Sequence, residues 1–137
     1  MQSIETDDIL FTVLNGSAAL KAELKGGIYT MGERPDGSTA EDIVVNNLNL
    51  THEIPQSGTS NVNIHVPDEK VKIGGKEQYK AARERLRLLT GLVLAALKAA
   101  NIEGLTFWVS NETTIREEAI KQSYNNLRVE WNIQRTN

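Results

Sequence analysis

The chain has 137 residues, of which 39% are hydrophobic and 24% charged, a composition ordinary for one globular domain that buries its own core. A formal net charge of −3 and an isoelectric point near 5.4 argue against a dedicated nucleic-acid-binding protein, although a local basic surface remains compatible with them. The absence of cysteine excludes disulfides, thiolate zinc sites and a cysteine nucleophile. We therefore expect a single domain over residues 1–137.

The first residues and the apolar runs indicate the compartment. Residues 1–8 are acidic and lack the basic start and apolar core of a signal peptide. The longest apolar run, residues 92–97, is far shorter than the roughly 18 residues that cross a membrane. We expect a soluble protein of the cytoplasm.

The spacing of apolar residues predicts a helix at the start of the chain. Residues 6–8 supply caps and first-turn acids, and Ile9, Leu10, Val13 and Leu14 follow at helical spacing. Residues 15–17 should end this helix, and Ser17 should cap a short second helix that runs to Leu24.

Three strands are expected next. Residues 28–31 form a short one, which a turn-rich arm over residues 32–40 connects to a longer strand over residues 42–54. The apolar alternation of that longer strand changes phase, so we expect a bulge near Asn46 and Asn47. After a turn at residues 55–58, residues 61–66 alternate cleanly and predict a strand with one solvent-facing side.

The strongest prediction is a long helix. Residues 67–75 read as a connection, and residues 76–101 as a helix of roughly 37 Å. One apolar stripe comprises Tyr79, Ala82, Leu86, Leu89, Val93, Ala96, Leu97 and Ala100. A second stripe, on a different side, comprises Leu88, Leu92, Ala95 and Ala99. The helix should therefore be buried on two sides.

Two closing strands complete the predicted fold. They cover residues 105–109 and 127–133, and the polar segment between them, residues 111–123, is either an extension of the strand or a mobile loop. The arm over residues 32–40 is equally polar, and we expect mobility there in an isolated subunit. The predicted order is α-β-β-β-α-β-β, an α+β domain with a largely antiparallel sheet of four to five strands, on which the N-terminal and the long helix pack.

Few residues suggest chemistry. His52 and His65 lie on different strands, His52 at the edge of the core and His65 on the solvent-facing side, and no metal-binding or phosphate-binding motif is present. The glycine pairs at residues 26–27 and 74–75 read as turns. We expect no catalytic, metal or cofactor site, and an enzyme is the least favoured class.

Two surfaces of the long helix are candidates for contacts with other molecules. Its basic residues are Lys76, Lys80, Arg83, Arg87 and Lys98, which form either a solvated face or a stripe that faces DNA or an acidic subunit. The second apolar stripe, Leu88, Leu92, Ala95 and Ala99, is covered either by the N-terminal helix or by a neighbouring copy of the chain.

The order of short motifs resembles the tail-completion or tail-terminator proteins of tailed phages and prophages. The residues that carry the resemblance are Gly27-Ile28-Tyr29, Arg34-Pro35, Glu41 to Val45, Val62 to Pro67 and the helix over residues 76–101. The chain departs from the commoner pattern in lacking a proline-rich segment just before the Ile-Val-Val strand, so a related head–tail connector or a minor capsid component stays open.

The resemblance implies a structural role without catalysis or cofactor. A small α/β subunit of this kind forms a ring at the end of the tail tube or at the head–tail joint. Its partners would be other copies of itself and tail-tube or connector proteins, with at most weak non-specific contact to DNA and none to membranes. It would reside in the host cytoplasm and then in the virion. The alternative is a small intracellular protein-binding or adaptor domain outside any virion.

Overall fold

A computed structural model describes residues 1–134 as helices packed on one face of a five-stranded sheet. The helices are α1 (Ser3–Asn15), α2 (Ala18–Glu23) and α3 (Arg83–Ala99). The strands are β1 (Ile28–Thr30), β2 (Asp42–Leu50), β3 (Gln56–Pro67), β4 (Glu69–Ile73), β5 (Lys76–Lys80), β6 (Leu105–Glu117) and β7 (Gln122–Ile133). The predicted α+β class is confirmed.

The large sheet has the strand order β1-β2-β3-β7-β6. All neighbours are antiparallel except β1 and β2, which run parallel, so the sheet is largely antiparallel as expected. The predicted bulge in β2 is confirmed, because the register with β3 shifts between Asn47 and Asn49. The predicted short second helix is also confirmed, and the Ser17 hydroxyl accepts a hydrogen bond from the Leu20 backbone N–H at 3.2 Å.

The core lies between the sheet and the helices. Alternate residues of β2, β3 and β7 point to the helices, while Leu10 and Leu14 of α1 and Leu20 of α2 pack from the other side. The first stripe of α3 is buried through Leu86, Leu89, Val93 and Leu97. It joins the same core as Val62, Ile64, Val129 and Trp131, as the apolar pattern predicted.

The predicted start of the long helix is wrong. Residues 69–80 form a hairpin of β4 and β5, and α3 begins only at Arg83. Gly74 and Gly75 both have positive φ, 58° and 78°, which is the backbone of a two-residue hairpin turn. The prediction was wrong because Tyr79 and Ala82 fit the helical spacing of the apolar stripe although both precede α3. Apolar periodicity alone does not detect a turn between two strands.

The segment between the two closing strands is a strand. β6 extends to Glu117, and a single 3-10 turn over Glu118–Ile120 connects it to β7, so most of the segment over residues 111–123 is paired rather than a loop. β3 likewise begins at Gln56, inside the predicted turn. In both cases pairing with β7 supplies backbone hydrogen bonds to residues whose side chains lack an apolar pattern.

Leu89 provides a test of this core. The side chain is fully buried, so we expect Leu89→Ala to lower the free energy of unfolding by ~2–5 kcal/mol out of a total of ~5–15. Leu88 is 43% exposed, so Leu88→Ala is the matched control and should change stability by less than ~0.5 kcal/mol. Denaturant titration measures both values, and an unchanged midpoint for Leu89→Ala would remove this residue from the core.

Candidate functional site

The motif residues that surround β1 and the start of β2 form one hydrogen-bonded cluster. The Gly27 backbone N–H donates to the Asp42 carboxylate at 2.9 Å, and the Lys25 backbone N–H donates to Glu41 at 3.2 Å. Gly26 has no space for a side chain, because an added Cβ would lie 1.9 Å from the Glu41 carbonyl oxygen. Gly26 therefore allows a close approach of two backbone segments.

Arg85 holds α2 and α3 against the start of β2. Its guanidinium donates to both carboxylate oxygens of Glu41, at 2.5 and 2.9 Å, to the Glu23 carboxylate at 2.7 Å, and to the Glu23 backbone carbonyl. Burial by itself raises the pKa of Glu41, but the hydrogen bonds from Arg85 and from the Lys25 N–H outweigh it and hold that pKa below its ordinary value. Glu41 is thus a buried carboxylate that stays charged.

A second arginine fastens the arm over residues 32–40. The Arg34 Nε donates to Asp42 at 2.9 Å, and the Ser38 hydroxyl donates to the same carboxylate at 2.6 Å. Gln122 of β7 donates to the Ser38 carbonyl at 2.6 Å. Burial raises the pKa of Asp42, but the bonds from Ser38, Gly27 and Arg34 outweigh it and lower that pKa overall. The arm that we expected to be mobile is anchored at these points.

His65 lies beside this cluster on the sheet face away from the helices. Its ring contacts that of Tyr124, with centroids 5.0 Å apart, and its Nδ1 is buried without a hydrogen-bond partner. Burial and the nearby Arg34 charge lower the pKa of His65 to about 4, although the Asp42 carboxylate acts in the opposite direction. His65 thus lies on the side of the strand that the sequence predicted, but it is half-buried there. His52, expected at the edge of the core, is exposed instead.

The rest of that sheet face is polar and carries few charges. The Asn126 side-chain amide donates to Asn61 at 3.0 Å and to Asn63 at 2.7 Å. Trp108 of the edge strand is 49% exposed. Within residues 1–134, no three His, Cys, Asp or Glu side chains lie close enough together to hold a metal ion. Within the same residues, no helix is long and apolar enough to cross a bilayer.

The predicted basic stripe does not follow one helix. Lys76 and Lys80 lie on β5, because the helix starts later than predicted, while Arg83, Arg87 and Lys98 lie on α3 with exposed side chains. Arg87 pairs with Glu84 at 3.2 Å on the helix surface. The five residues therefore belong to two elements.

The second apolar stripe of α3 borders an open groove. Leu92 is half-buried at the edge of the core, whereas Leu88, Ala95 and Ala99 remain exposed. The groove has a volume of about 580 Å³ and lies between α1, the start of α2 and the C-terminal half of α3. It is lined by Thr12, Val13, Gly16, Ser17, Ala19, Leu92, Ala95, Ala96, Ala99, Ala100, Asn101 and Ile102. We call it the α1–α3 groove.

Sequence reasoning missed Arg85 and the β4–β5 hairpin. In the sequence Arg85 is one of several basic residues of the helix. Only its ion pairs with Glu23 and Glu41 in the folded chain distinguish it from the others. The glycine pair at residues 74–75, preceded by the alternating residues 70–73, was the available signal for the hairpin.

Comparison with known proteins identifies a shared fold. No family model matches the chain, and no curated protein matches its sequence. One solved structure, described as the virion of a native gene transfer agent particle, contains a chain that superposes with a TM-score of 0.61 at 14% sequence identity. The match covers 92% of this chain and 92% of that chain. This chain is therefore similar in fold, over nearly its whole length, to a component of that particle.

His65 gives a prediction for pH dependence. Its folded pKa of about 4 lies below the ordinary value of 6.5, so between these values the unfolded chain binds a proton that the folded chain does not. Stability should be complete above pH 6.5 and fall as the pH drops towards 4, by at most ~1.4 kcal/mol per pH unit. Denaturant titration across this range should show a shallower fall for His65→Gln. Equal slopes for the two proteins would contradict a buried, neutral His65.

Proposed function

We propose that this chain is a non-enzymatic structural subunit of phage or prophage tail morphogenesis. It forms a ring at the head–tail joint, as tail-completion or terminator proteins do. The observation that carries the proposal is the fold shared with a chain of the gene transfer agent virion over 92% of both chains. The motif residues support a structural role, because Gly26, Arg34, Glu41 and Asp42 are occupied in holding elements together.

The proposed partners are other copies of this chain and tail-tube or head–tail connector proteins. The α1–α3 groove supports self-association, since its lining includes the exposed Ala95 and Ala99 beside the half-buried Leu92. Leu88, one turn earlier on the same helix, is exposed as well. Apolar side chains that a monomer leaves open are typical of surfaces that another protein covers. In this proposal the protein acts in the host cytoplasm and then in the virion, without cofactor or membrane.

The basic residues supply a weaker, non-specific contact in the same proposal. Arg83 and Arg87 lie beside a second groove of about 540 Å³ between α3 and β6, with Glu112 on the opposite side. A ring around passing DNA, or an acidic neighbouring subunit, would meet these cations together with Lys80. The acidic balance of the whole chain is consistent with such contacts being weak.

The ring is tested by combining solution mass with a surface variant. Purified protein, alone and with tail tubes from the same genome, should form annular particles visible by electron microscopy. Ala95→Glu should stay folded, because Ala95 is exposed, and should lose assembly, because a charge enters an apolar interface. Ile54→Glu, at an exposed apolar residue that lines neither groove, is the matched control and should assemble.

Two results would contradict the proposed function. The first is a wild-type protein that stays monomeric and binds no tail tube. The second is normal assembly of the Ala95→Glu protein, which would assign the groove to another role. Specific binding of the wild type to a cellular protein through the same groove would instead favour the small adaptor domain.

The basic residues are tested by removing their charge in two steps. Replacing Lys80, Arg83 and Arg87 by Gln, and then by Glu, should leave thermal stability nearly unchanged, because exposed charges contribute little to folding. Binding to double-stranded DNA should weaken, and its dependence on log salt concentration should become shallower by ~0.9 for each phosphate that the protein no longer neutralises. If the variants bind DNA and yield particles as the wild type does, these residues are only a solvated surface and contact neither DNA nor a neighbouring subunit.

A further inference from the structure

The β4–β5 hairpin is a two-stranded sheet that the rest of the domain contacts mainly at its base. The Asp68 backbone N–H donates to the Lys121 carbonyl at 2.9 Å, and Arg116 donates to the Tyr79 carbonyl at 2.5 Å. The Lys121 ammonium lies 4.5 Å above the Tyr79 ring. These contacts fix where the hairpin leaves the domain, whereas its distal half pairs only with itself.

The tip of the hairpin is a tight two-residue turn with an exposed apolar side chain beside it. Ile73 pairs with Lys76 across the two-residue turn, and a Cβ added to Gly74 or Gly75 would meet no atom within 4 Å. Ile73 is 49% exposed, with Val71 next to it on the same side of the strand. An isolated two-stranded hairpin is marginally stable in water, so covering this apolar side would stabilise it.

The charge of the hairpin is opposite to that of the chain. Residues 69–80 contain four lysines and two glutamates, in a protein of net charge −3. Lys70 is paired with Glu77 at 2.9 Å, whereas Lys72 and Lys76 near the tip have exposed side chains. The tip therefore presents an aliphatic side chain with Lys76 on the same face and Lys72 on the opposite face of the hairpin.

The α1–α3 groove offers the complementary surface. Its walls are aliphatic, through Val13, Leu92 and Ala95. An adjoining depression contains Asp8, and Glu103 follows directly after the lining residue Ile102. Helix α1 contains three acidic residues and no lysine or arginine. An aliphatic knob flanked by lysines matches an aliphatic groove bordered by carboxylates in both shape and charge.

The hairpin and the groove lie at opposite ends of α3. The hairpin ends at Lys80, just before α3 begins, whereas the groove is built around the last residues of that helix, about 25 Å away. The residues that line the groove include none from the chain's own hairpin. A contact between the two surfaces therefore joins different copies, head to tail, and such contacts produce rings when the rotation closes.

We propose that the β4–β5 hairpin tip of one copy docks in the α1–α3 groove of the next copy. Ile73 enters among Val13, Leu92 and Ala95, while Lys72 and Lys76 meet Asp8 and Glu103. This inference rests on the proposed ring, and it names the element that closes each joint of the ring.

Disulfide trapping tests the contact, because the natural chain has no cysteine. An Ile73→Cys protein and an Ala95→Cys protein of different mass are mixed and oxidised, and we expect the mixed disulfide to exceed both self-linked products. Carrying both substitutions on one chain should give a ladder of covalent oligomers. Leu94→Cys is the matched control, since this neighbouring residue of α3 borders the other groove, and it should yield little mixed product.

The outcomes separate this inference from the ring itself. Rings that form while Ile73→Cys links no better to Ala95→Cys than to Leu94→Cys would overturn the hairpin contact and leave the ring standing. A disulfide within one chain of the double variant would also overturn it. Linking of Ala95→Cys to a tail-tube protein instead would assign the groove to that partner. Absence of both rings and mixed disulfide, at every concentration, would overturn both proposals.

A charge exchange provides an independent measurement. Changing Lys72 and Lys76 to Glu should raise the concentration needed for self-association by roughly tenfold, because two ion pairs are replaced by repulsion. Adding Asp8→Lys and Glu103→Lys to the same chain should restore association. A defect that these substitutions fail to rescue would contradict the proposed pairing of the charges.

Discussion

The architecture depends on two buried carboxylates, Glu41 and Asp42, at the start of β2. Their neighbours in space come from α2, the glycine pair, the arm and α3, and each carboxylate is neutralised by one arginine, Arg85 or Arg34. A charge taken out of water is costly unless it is paired, so losing either arginine would leave an unpaired buried carboxylate. One short segment thus fixes how the helices and the arm sit against the sheet.

This arrangement leaves other parts of the chain free for contacts with other molecules. Because Glu23, Glu41 and Arg85 hold the N-terminal end of α3, the helix lies across the core with its far end beside α1 and the α1–α3 groove open. At the other end, β3 ends at Pro67 and the chain continues into the β4–β5 hairpin. The hairpin and the groove thus lie at opposite ends of α3.

The buried polar groups of the domain lie apart from one another or bond to each other. Asp7 and His65, whose pKa values burial shifts towards the neutral form of each side chain, lie on different sides of the sheet with different neighbours. The polar groups of the helix-free face bond to each other, as the Asn126 amide does to Asn61 and Asn63. Interactions of this kind rigidify the domain.

The sequence by itself determined the α+β class, the apolar stripe of α3, the bulge in β2 and the cap of α2, because each arises from local spacing or from one side chain. Only the tertiary structure decided the rest. The extension of β6 required its pairing with β7, and the roles of Arg34 and Arg85 required carboxylates 8 and 44 residues away in the chain. Residues 69–80 form a hairpin and not the first turns of α3, because Gly74 and Gly75 adopt positive φ at its turn. The helical spacing of Tyr79 and Ala82 had instead predicted a continuous helix. Long-range pairing and close approach leave no periodic trace in a single sequence. For that reason the sequence indicated the second apolar stripe, whereas the groove beside it and the β4–β5 hairpin emerged only with the fold.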